Sequence, residues 1–247
     1  MHVPDGQLLK CAQTKRLFNL YKVANTNADL SVFLFFCSPK SRPEKPVKPL
    51  MTEMEFIVEV AQPDHVKYAE EICNEMRESA KARGTGIAER KPEYIIKKIH
   101  EGKAVIALQG DKFAGFCYIE TWSHGQYVAN SGLIVAPDYR RYGLATRIKE
   151  CIFELSRDKY PHARIFGITT SLAVMKINSS LGYEPVTFSE LTQDEAFWAG
   201  CKSCPNFDIL ERNQRRMCLC TAMLAPSKNE VEQMKHDLSD LIVVANV

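Results

Sequence analysis

The segment Leu133-Ile134-Val135-Ala136-Pro137-Asp138-Tyr139-Arg140-Arg141-Tyr142-Gly143-Leu144-Ala145-Thr146 decides how this chain is read. An apolar run ends at a polar turn, and small residues then open an amphipathic pattern. Such a pattern reads as strand, turn and helix start. The first amides of a helix have no acceptor within it and lie at the positive end of its dipole, so this start suits a pyrophosphate. Gly143 and Ala145 let a ligand approach the backbone closely, and Arg140 and Arg141 add positive charge at the same point. An ordinary strand-to-helix turn with two solvated arginines is the competing reading.

Working outward, Glu55 to Ala61 alternates as a half-buried strand does. Asp64 caps a helix expected to reach Arg83, with Val66, Ala69, Ile72, Cys73, Met76 and Ala80 forming one apolar stripe. Pro92 opens a second helix that Gly102 ends. The runs Ala104 to Leu108 and Phe113 to Ile119, joined by Gln109-Gly110-Asp111-Lys112, read as a hairpin. Then come a strand over Ser131 to Val135, a helix over Leu144 to Asp158, a strand over Ala163 to Thr169, and a helix over Ser171 to Leu181 closed by Gly182. Val186 to Leu191 and Met217 to Leu224 read as two last strands. The order βααβββαβαββ predicts an α/β domain with a mixed sheet, because strands separated by helices are usually parallel while a hairpin is not.

Pro137 to Ala145 resembles the [Q/R]-x-x-G-x-[G/A] loop of the GNAT superfamily of acyl-CoA N-acyltransferases. The element order from Met51 to about Pro226 is similar to that fold, and Leu181-Gly182-Tyr183-Glu184-Pro185 resembles the family's later L-G-[F/Y] segment. The resemblance implies a mixed, mostly antiparallel central sheet flanked by helices. It also implies acetyl-CoA as co-substrate, its pyrophosphate on the amides of Arg141, Tyr142, Gly143, Ala145 and Thr146, with Arg140 and Leu144 in the same loop. It further implies that Leu133, Ile134 and Val135 offer backbone groups to the pantetheine, one amide polarising the thioester carbonyl as an oxyanion hole does. A primary amine then attacks directly, without a covalent enzyme intermediate.

Two proton tasks remain, deprotonating the amine and protonating the departing thiolate. Many relatives place a Tyr acid four residues before the Gly of the L-G-[F/Y] segment. That position here is Asn178, which can hydrogen-bond the cofactor but cannot act as an acid, and Ser171 stands where the family often has Asn. Tyr183 falls in an aromatic packing slot, and water can protonate the thiolate. For the base, the strand before the loop carries no carboxylate, so Glu120 and His124 are the candidates.

Nine Cys is an odd number, and four of them fall close together as Cys201-x-x-Cys204 and Cys218-x-Cys220. With Cys218 and Cys220 on one face of a strand, the four thiolates would converge on zinc; the alternative is a set of small buried hydrophobes. The insertion Thr192 to Arg216 carries Phe197, Trp198, Phe207, Arg212, Arg215 and Arg216, and with the loop Arg83 to Arg90 is expected to wall the acceptor site. Arginines there would pair with a carboxylated acceptor. These loops are similar to those of bacterial relatives that acylate glutamate, which implies an amino-acid acceptor.

The chain has 247 residues, 45% apolar and 25% charged, with a formal charge of +2, which excludes collagen-like and coiled-coil classes and gives no electrostatic case for nucleic acid. The odd Cys count favours a reducing, cytoplasmic setting. Leu30 to Cys37 is too short to span a membrane. Residues 1–50 carry eight Lys/Arg against three Asp/Glu and read as a basic, disordered leader, with Met51 or Met54 as an alternative start. The catalytic domain is expected over 51–226 and a helical tail over 227–247. The expectation is a cytoplasmic N-acetyltransferase, with a homodimer left open. Its alternatives are a catalytically silent acyl-CoA sensor and a zinc-stabilised interaction protein.

Overall fold

The apolar runs assemble edge to edge into one seven-stranded sheet, in the order β1-β2-β3-β4-β5-β7-β6. The computed structural model describes residues 54–84 and 90–245, with side chains to residue 239. The chain divides into units Met1–Glu55 and Phe56–Val247. The expected leader and residues 85–89 of the loop after the first helix lie outside the described residues.

The strands are β1 (Ile57–Val60), β2 (Ala104–Gln109), β3 (Lys112–Trp122), β4 (Tyr127–Val135), β5 (Arg164–Thr169), β6 (Glu184–Val186) and β7 (Thr221–Ala225). All neighbours pair antiparallel except β4 and β5. The sheet is therefore mixed and mostly antiparallel. β2 and β3 are buried along nearly their whole length, as their near-continuous apolar runs require of strands covered on both faces.

One face is covered by α1 (Ala69–Arg83) and α2 (Pro92–His100), which bury Ile72, Met76, Ile95 and Ile99 against Ile106, Phe116, Tyr118 and Ile134. The opposite face takes α3 (Leu144–Lys159), through Leu144, Ile148, Cys151, Ile152 and Phe153. α4 (Leu172–Ser180) follows β5, and the insertion forms the short helices α5 (Glu195–Ala199) and α6 (Phe207–Arg212). Trp198 and Leu210 of the insertion pack on Ala129, Phe166 and Ala222. The tail is helical as α7 (Lys228–Ala245), tied back by ion pairs from Arg164 to Glu230 at 2.6 Å and from Lys228 to Asp158 at 3.1 Å. No helix of the described residues is long and apolar enough to cross a membrane.

Several expected boundaries move; β3 runs on past Ile119 to Trp122 and β4 starts at Tyr127 rather than Ser131. The first helix starts at Ala69 rather than Asp64, because Pro63 to Tyr68 forms a 3-10 turn in which the Gln62 amide donates to His65 Nδ1 at 3.0 Å. The strand expected over Val186 to Leu191 is not there beyond its first residue: β6 covers Glu184–Val186, and Thr187 and Glu190 close a capping box around a turn at Phe188–Glu190. β7 begins at Thr221, so Cys218 and Cys220 precede the strand instead of lying on it.

Candidate active site

The site arises where β4 and β5 stop pairing. Their parallel register holds at Tyr127 with Arg164, Val128 with Ile165 and Ala129 with Phe166, and no pair follows. Beyond it, β4 pairs only with β3 and β5 only with β7. The strands open a cleft of about 480 Å³, with Asn130, Ser131, Gly132 and Leu133 on one wall and Gly167, Ile168 and Thr169 on the other.

A bulge lies at the edge of this cleft. Phe116 faces Ile134 and Tyr118 faces Ser131, so three steps on β4 answer two on β3 and neither Gly132 nor Leu133 has a partner residue. Gly132 has φ +66°, and a Cβ there would lie 2.4 Å from Tyr118 Cε1 and 2.6 Å from Met76 Cε. Only glycine fits both the conformation and the space.

Past Val135 comes the turn that dominates the sequence. Arg141 and Gly143 take left-handed φ of 73° and 77°, and Arg140 folds back to donate to the Val135 carbonyl at 3.1 Å. The amides of Arg141, Tyr142, Gly143, Leu144 and Ala145 have no acceptor among the described residues. Five unpaired N–H groups at the start of a 16-residue helix fit an anionic diphosphate. Thr146 departs from expectation, because its amide already donates to the Gly143 carbonyl at 3.1 Å. Of the three strand residues expected along the pantetheine, Leu133 lines the cleft, Ile134 is buried under α1 and α2, and the Val135 carbonyl holds Arg140. Arg83, on the cleft wall, lies near enough to Arg140 to feel its charge; burial and that neighbour push its pKa down.

Glu120, the carboxylate expected as base, lines the cleft and is 6% exposed. Its Oε1 accepts from Arg90 Nη2 at 3.2 Å and, in a very short bond, from the Tyr94 hydroxyl; Oε2 accepts from Ser131 Oγ at 2.9 Å. Arg90 also donates to the Tyr118 hydroxyl at 3.0 Å. Burial, then the bond to Glu120, pushes the Tyr94 hydroxyl far up, so it stays a donor. His124 is not part of this group: it is exposed in the turn Ser123–Gly125, at φ 55°, and does not line the cleft.

The four thiols do border the cleft, but not as a metal centre. Among the described residues, no group of three or more His, Cys, Asp or Glu side chains is placed to hold a metal ion. The zinc reading needed Cys218 and Cys220 on one strand face, and the bend before Thr221 removes that alignment. Burial and the neighbouring thiols push Cys201 up to about 11 and Cys220 up to about 12, so both are neutral thiols in an apolar wall with Phe188, Phe197, Phe207 and Leu210. The insertion arginines miss the cleft as well: Arg215 is clamped to Glu195 at 2.6 and 2.7 Å, and neither Arg212 nor Arg216 lines it.

On the α3 side of the sheet, Asn178 lines the cleft and is 1% exposed; its Nδ2 donates to Met223 Sδ at 3.7 Å, while Oδ1 has no partner. Ser171 caps α4, accepting from the Val174 amide at 3.4 Å. Lys149, 2% exposed, also reaches the cleft, donating to Asn130 Oδ1 at 3.3 Å with its charge 5.1 Å from the Tyr183 ring. Sequence reasoning missed Lys149, although it sits in the apolar stripe of α3 between Ile148 and Cys151, where a lysine is out of pattern. Tyr94 and Ser131 gave no local signal, since separate elements bring them to Glu120; Arg83 and Arg90, the ends of the loop expected as a wall, do line the cleft, with Arg90 paired to Glu120.

The sequence pattern of the Acetyltransferase (GNAT) family matches residues 70–173, a span that includes the split strands, the bulge and the phosphate loop. Residues 70–173 of the chain therefore carry a domain of this family's pattern. The chain is an N-acyltransferase that moves an acetyl group from acetyl-CoA to an amine. This GNAT protein is 29% identical over 149 residues to the thialysine N-epsilon-acetyltransferase of Caenorhabditis elegans, across 58% of its own length and 89% of the relative's. Its fold is similar to that of N-acetylglutamate synthase from Neisseria gonorrhoeae, solved with coenzyme A and N-acetyl-glutamate, with a TM-score of 0.51 at 16% identity. That likeness covers 71% of this chain but only 36% of the synthase. The family match ends before α4 is complete, so the insertion that walls the acceptor side lies beyond it.

Proposed function

We propose that the acceptor is a small primary amine, an amino acid with a side-chain amine being the favoured class, and that it docks its nitrogen against Glu120. The observation that carries this reading is the position of Glu120. It is the buried carboxylate on the cleft wall, held by three donors, and its Ser131 partner is the residue next to the bulge. Three donors fix the orientation of the Glu120 carboxylate on the cleft wall, which suits it to receiving a further N–H donor. Ammonium-to-carboxylate proton transfer is uphill before attack, because an alkylammonium is the weaker acid by roughly six pKa units. The nitrogen therefore attacks as the minor neutral amine, its first proton lost to solvent; after attack it carries a positive charge beside the acyl carbon and is far more acidic, so Glu120 takes the second proton then.

On the donor side, the amides of Arg141 to Ala145 take the pyrophosphate, Arg140 and Arg141 add charge, and the pantetheine runs down the open edge of β4. An amide of the Gly132–Leu133 bulge polarises the thioester carbonyl, a contribution typically of a few kcal/mol. The apolar wall of the insertion, with its neutral thiols, houses the carbon skeleton of the acceptor. The relative from C. elegans, by its name, acts on an amino acid with a side-chain amine, which supports the same class here. Glutamate fits less well on the insertion side, because Arg212, Arg215 and Arg216 do not line the cleft and Arg90 is already paired with Glu120, which leaves Arg83 as the cleft arginine for a second carboxylate.

The test is a panel of amines with acetyl-CoA, read by mass spectrometry of the products and by thiol release. Thialysine, lysine and short diamines are expected to turn over with higher kcat/KM than glutamate. Preferred acetylation of glutamate would overturn the assignment of the acceptor class while leaving the reaction type in place.

A further inference from the structure

The acid that many relatives supply from α4 is absent here, because that position is Asn178. A different proton donor sits across the sheet. Successive residues of a strand point to opposite faces, and at the mouth of the bulge β4 does this with two ionisable partners. Ser131 points to the α2 face and bonds Glu120; Asn130 points to the α3 face and bonds Lys149. A carboxylate and an ammonium therefore flank the point where the thioester would lie, one on each face.

The surroundings of Lys149 are those of a reagent rather than of a structural ion pair. It is buried, it lines the cleft, and it has no carboxylate partner among the described residues. An ammonium has three donors, and the structure shows one, to Asn130 Oδ1; that oxygen also accepts from the Tyr183 hydroxyl at 3.0 Å, while Asn130 Nδ2 donates to Ser156 Oγ at 2.7 Å. Burying a charge without a counter-charge is costly, and proteins keep such groups chiefly where they serve a site. The unpartnered Oδ1 of Asn178 lines the same cleft, ready for an N–H of the pantetheine arm.

We propose that Lys149 is the catalytic acid that protonates the departing sulfur of CoA. The inference rests on the acetyl-transfer reading and adds the missing proton donor to it. As the tetrahedral adduct collapses, the carbon–sulfur bond breaks and its electron pair goes to sulfur. The sulfur takes one proton from the Lys149 ammonium, the N–H pair stays on Nζ, and CoA leaves as the thiol. The acceptor nitrogen loses its second proton on the other face to Glu120. The neutral amine of Lys149 regains a proton from solvent once CoA departs, so each turnover releases one net proton.

Burial pushes Lys149 down to about 8, close to an ordinary thiol, so the transfer is nearly balanced. The groups facing it do not titrate in the same window. Burial pushes Cys117 up to about 11 and Tyr183 well above its usual range, and Arg157 beside Tyr183 stays charged. Because the folded-state pKa lies below that of the unfolded chain, the penalty of this charge is full below pH 8 and fades as pH rises toward 10.5. Lys149→Met should thus fold at neutral pH, and fold more stably than the parent protein.

The test compares Lys149→Met and Lys149→Gln with the parent on kcat, KM, pH profile and the thiolate absorbance of bound CoA. Expected are a fall in kcat on the order of ten- to a hundredfold, little change in KM for acetyl-CoA, and loss of the decline in kcat above about pH 8. The bound thiol should also ionise at higher pH in both variants than in the parent. Parent-like kcat, or a lowered kcat that keeps the alkaline decline and the thiol titration, would overturn the proposal and leave Lys149 a structural group. Failure of the parent to bind CoA at all would instead sink the acetyl-transfer reading.

Discussion

Replacing Glu120 with Gln should lower kcat/KM for the amine by about 10²- to 10³-fold, within the range of a lost proton acceptor, while binding of CoA changes little. The side chain keeps its shape and loses its charge. Every partner of Glu120 is a donor: Arg90, the Tyr94 hydroxyl and Ser131 Oγ. A Gln amide brings two further N–H groups into that ring, so one face of it must set donor against donor. Removing the charge also takes the Glu120 end of the ion pair away from the partly buried Arg90, which should lower stability. The measurement is steady-state kinetics with both substrates varied, beside a thermal melt. Tyr94→Phe serves as the control: it removes one hydrogen bond but no charge, and should cost stability more than turnover. Wild-type turnover in Glu120→Gln would reduce Glu120 to an anchor for Arg90.

Gly132→Ala should be the most disruptive single-methyl change in the sheet, destabilising by about 2–5 kcal/mol. Two costs add. The left-handed φ of 66° penalises any side chain, and the new methyl would meet Tyr118 Cε1 at 2.4 Å and Met76 Cε at 2.6 Å. Both neighbours are buried core residues, so neither can swing away into solvent. Tyr118 in turn holds Arg90, and its displacement would loosen the Glu120 group as well. Denaturant unfolding checks the first effect through the midpoint, and residual activity checks the second. Gly143→Asn is the matched control: φ is also left-handed, at 77°, but a Cβ there has nothing within 4 Å, and Asn tolerates this conformation. It should fold nearly as well as the parent.

The fold was legible in the sequence wherever one physical signal dominated. The apolar runs of β2 and β3, the Gly110 turn between them, and the stripe of α3 all lie where spacing places them. The boundaries that moved were set by side chains reaching a few residues along the chain, as at His65 and Glu190, which periodicity does not register. The phosphate loop is a local structure, so a local motif exposed it. The catalytic cleft is different, since it depends on two strands ceasing to pair and on Arg90, Tyr94, Ser131 and Glu120 meeting from α2, β3, β4 and the segment before α2. No spacing in the chain encodes that meeting. Glu120 was found because a carboxylate near the end of β3 is chemically conspicuous. The cysteine spacing misled for a related reason: it carries no information about the bend before Thr221.

The parting of β4 from β5 leaves the sheet with a gap in its hydrogen-bonded width. Beyond Ala129 and Phe166, neither strand pairs with the other across the cleft among the described residues. On the function proposed above, the pantetheine arm, which carries two amides on an extended chain, would lie in that gap as a temporary eighth strand. The protein's architecture is then completed by its own co-substrate. Ligand that fills the gap stabilises the folded state by mass action, about 2.7 kcal/mol at a hundredfold excess over Kd. On that reading, resistance to unfolding should rise with acyl-CoA concentration, as thermal melts with and without acetyl-CoA would check.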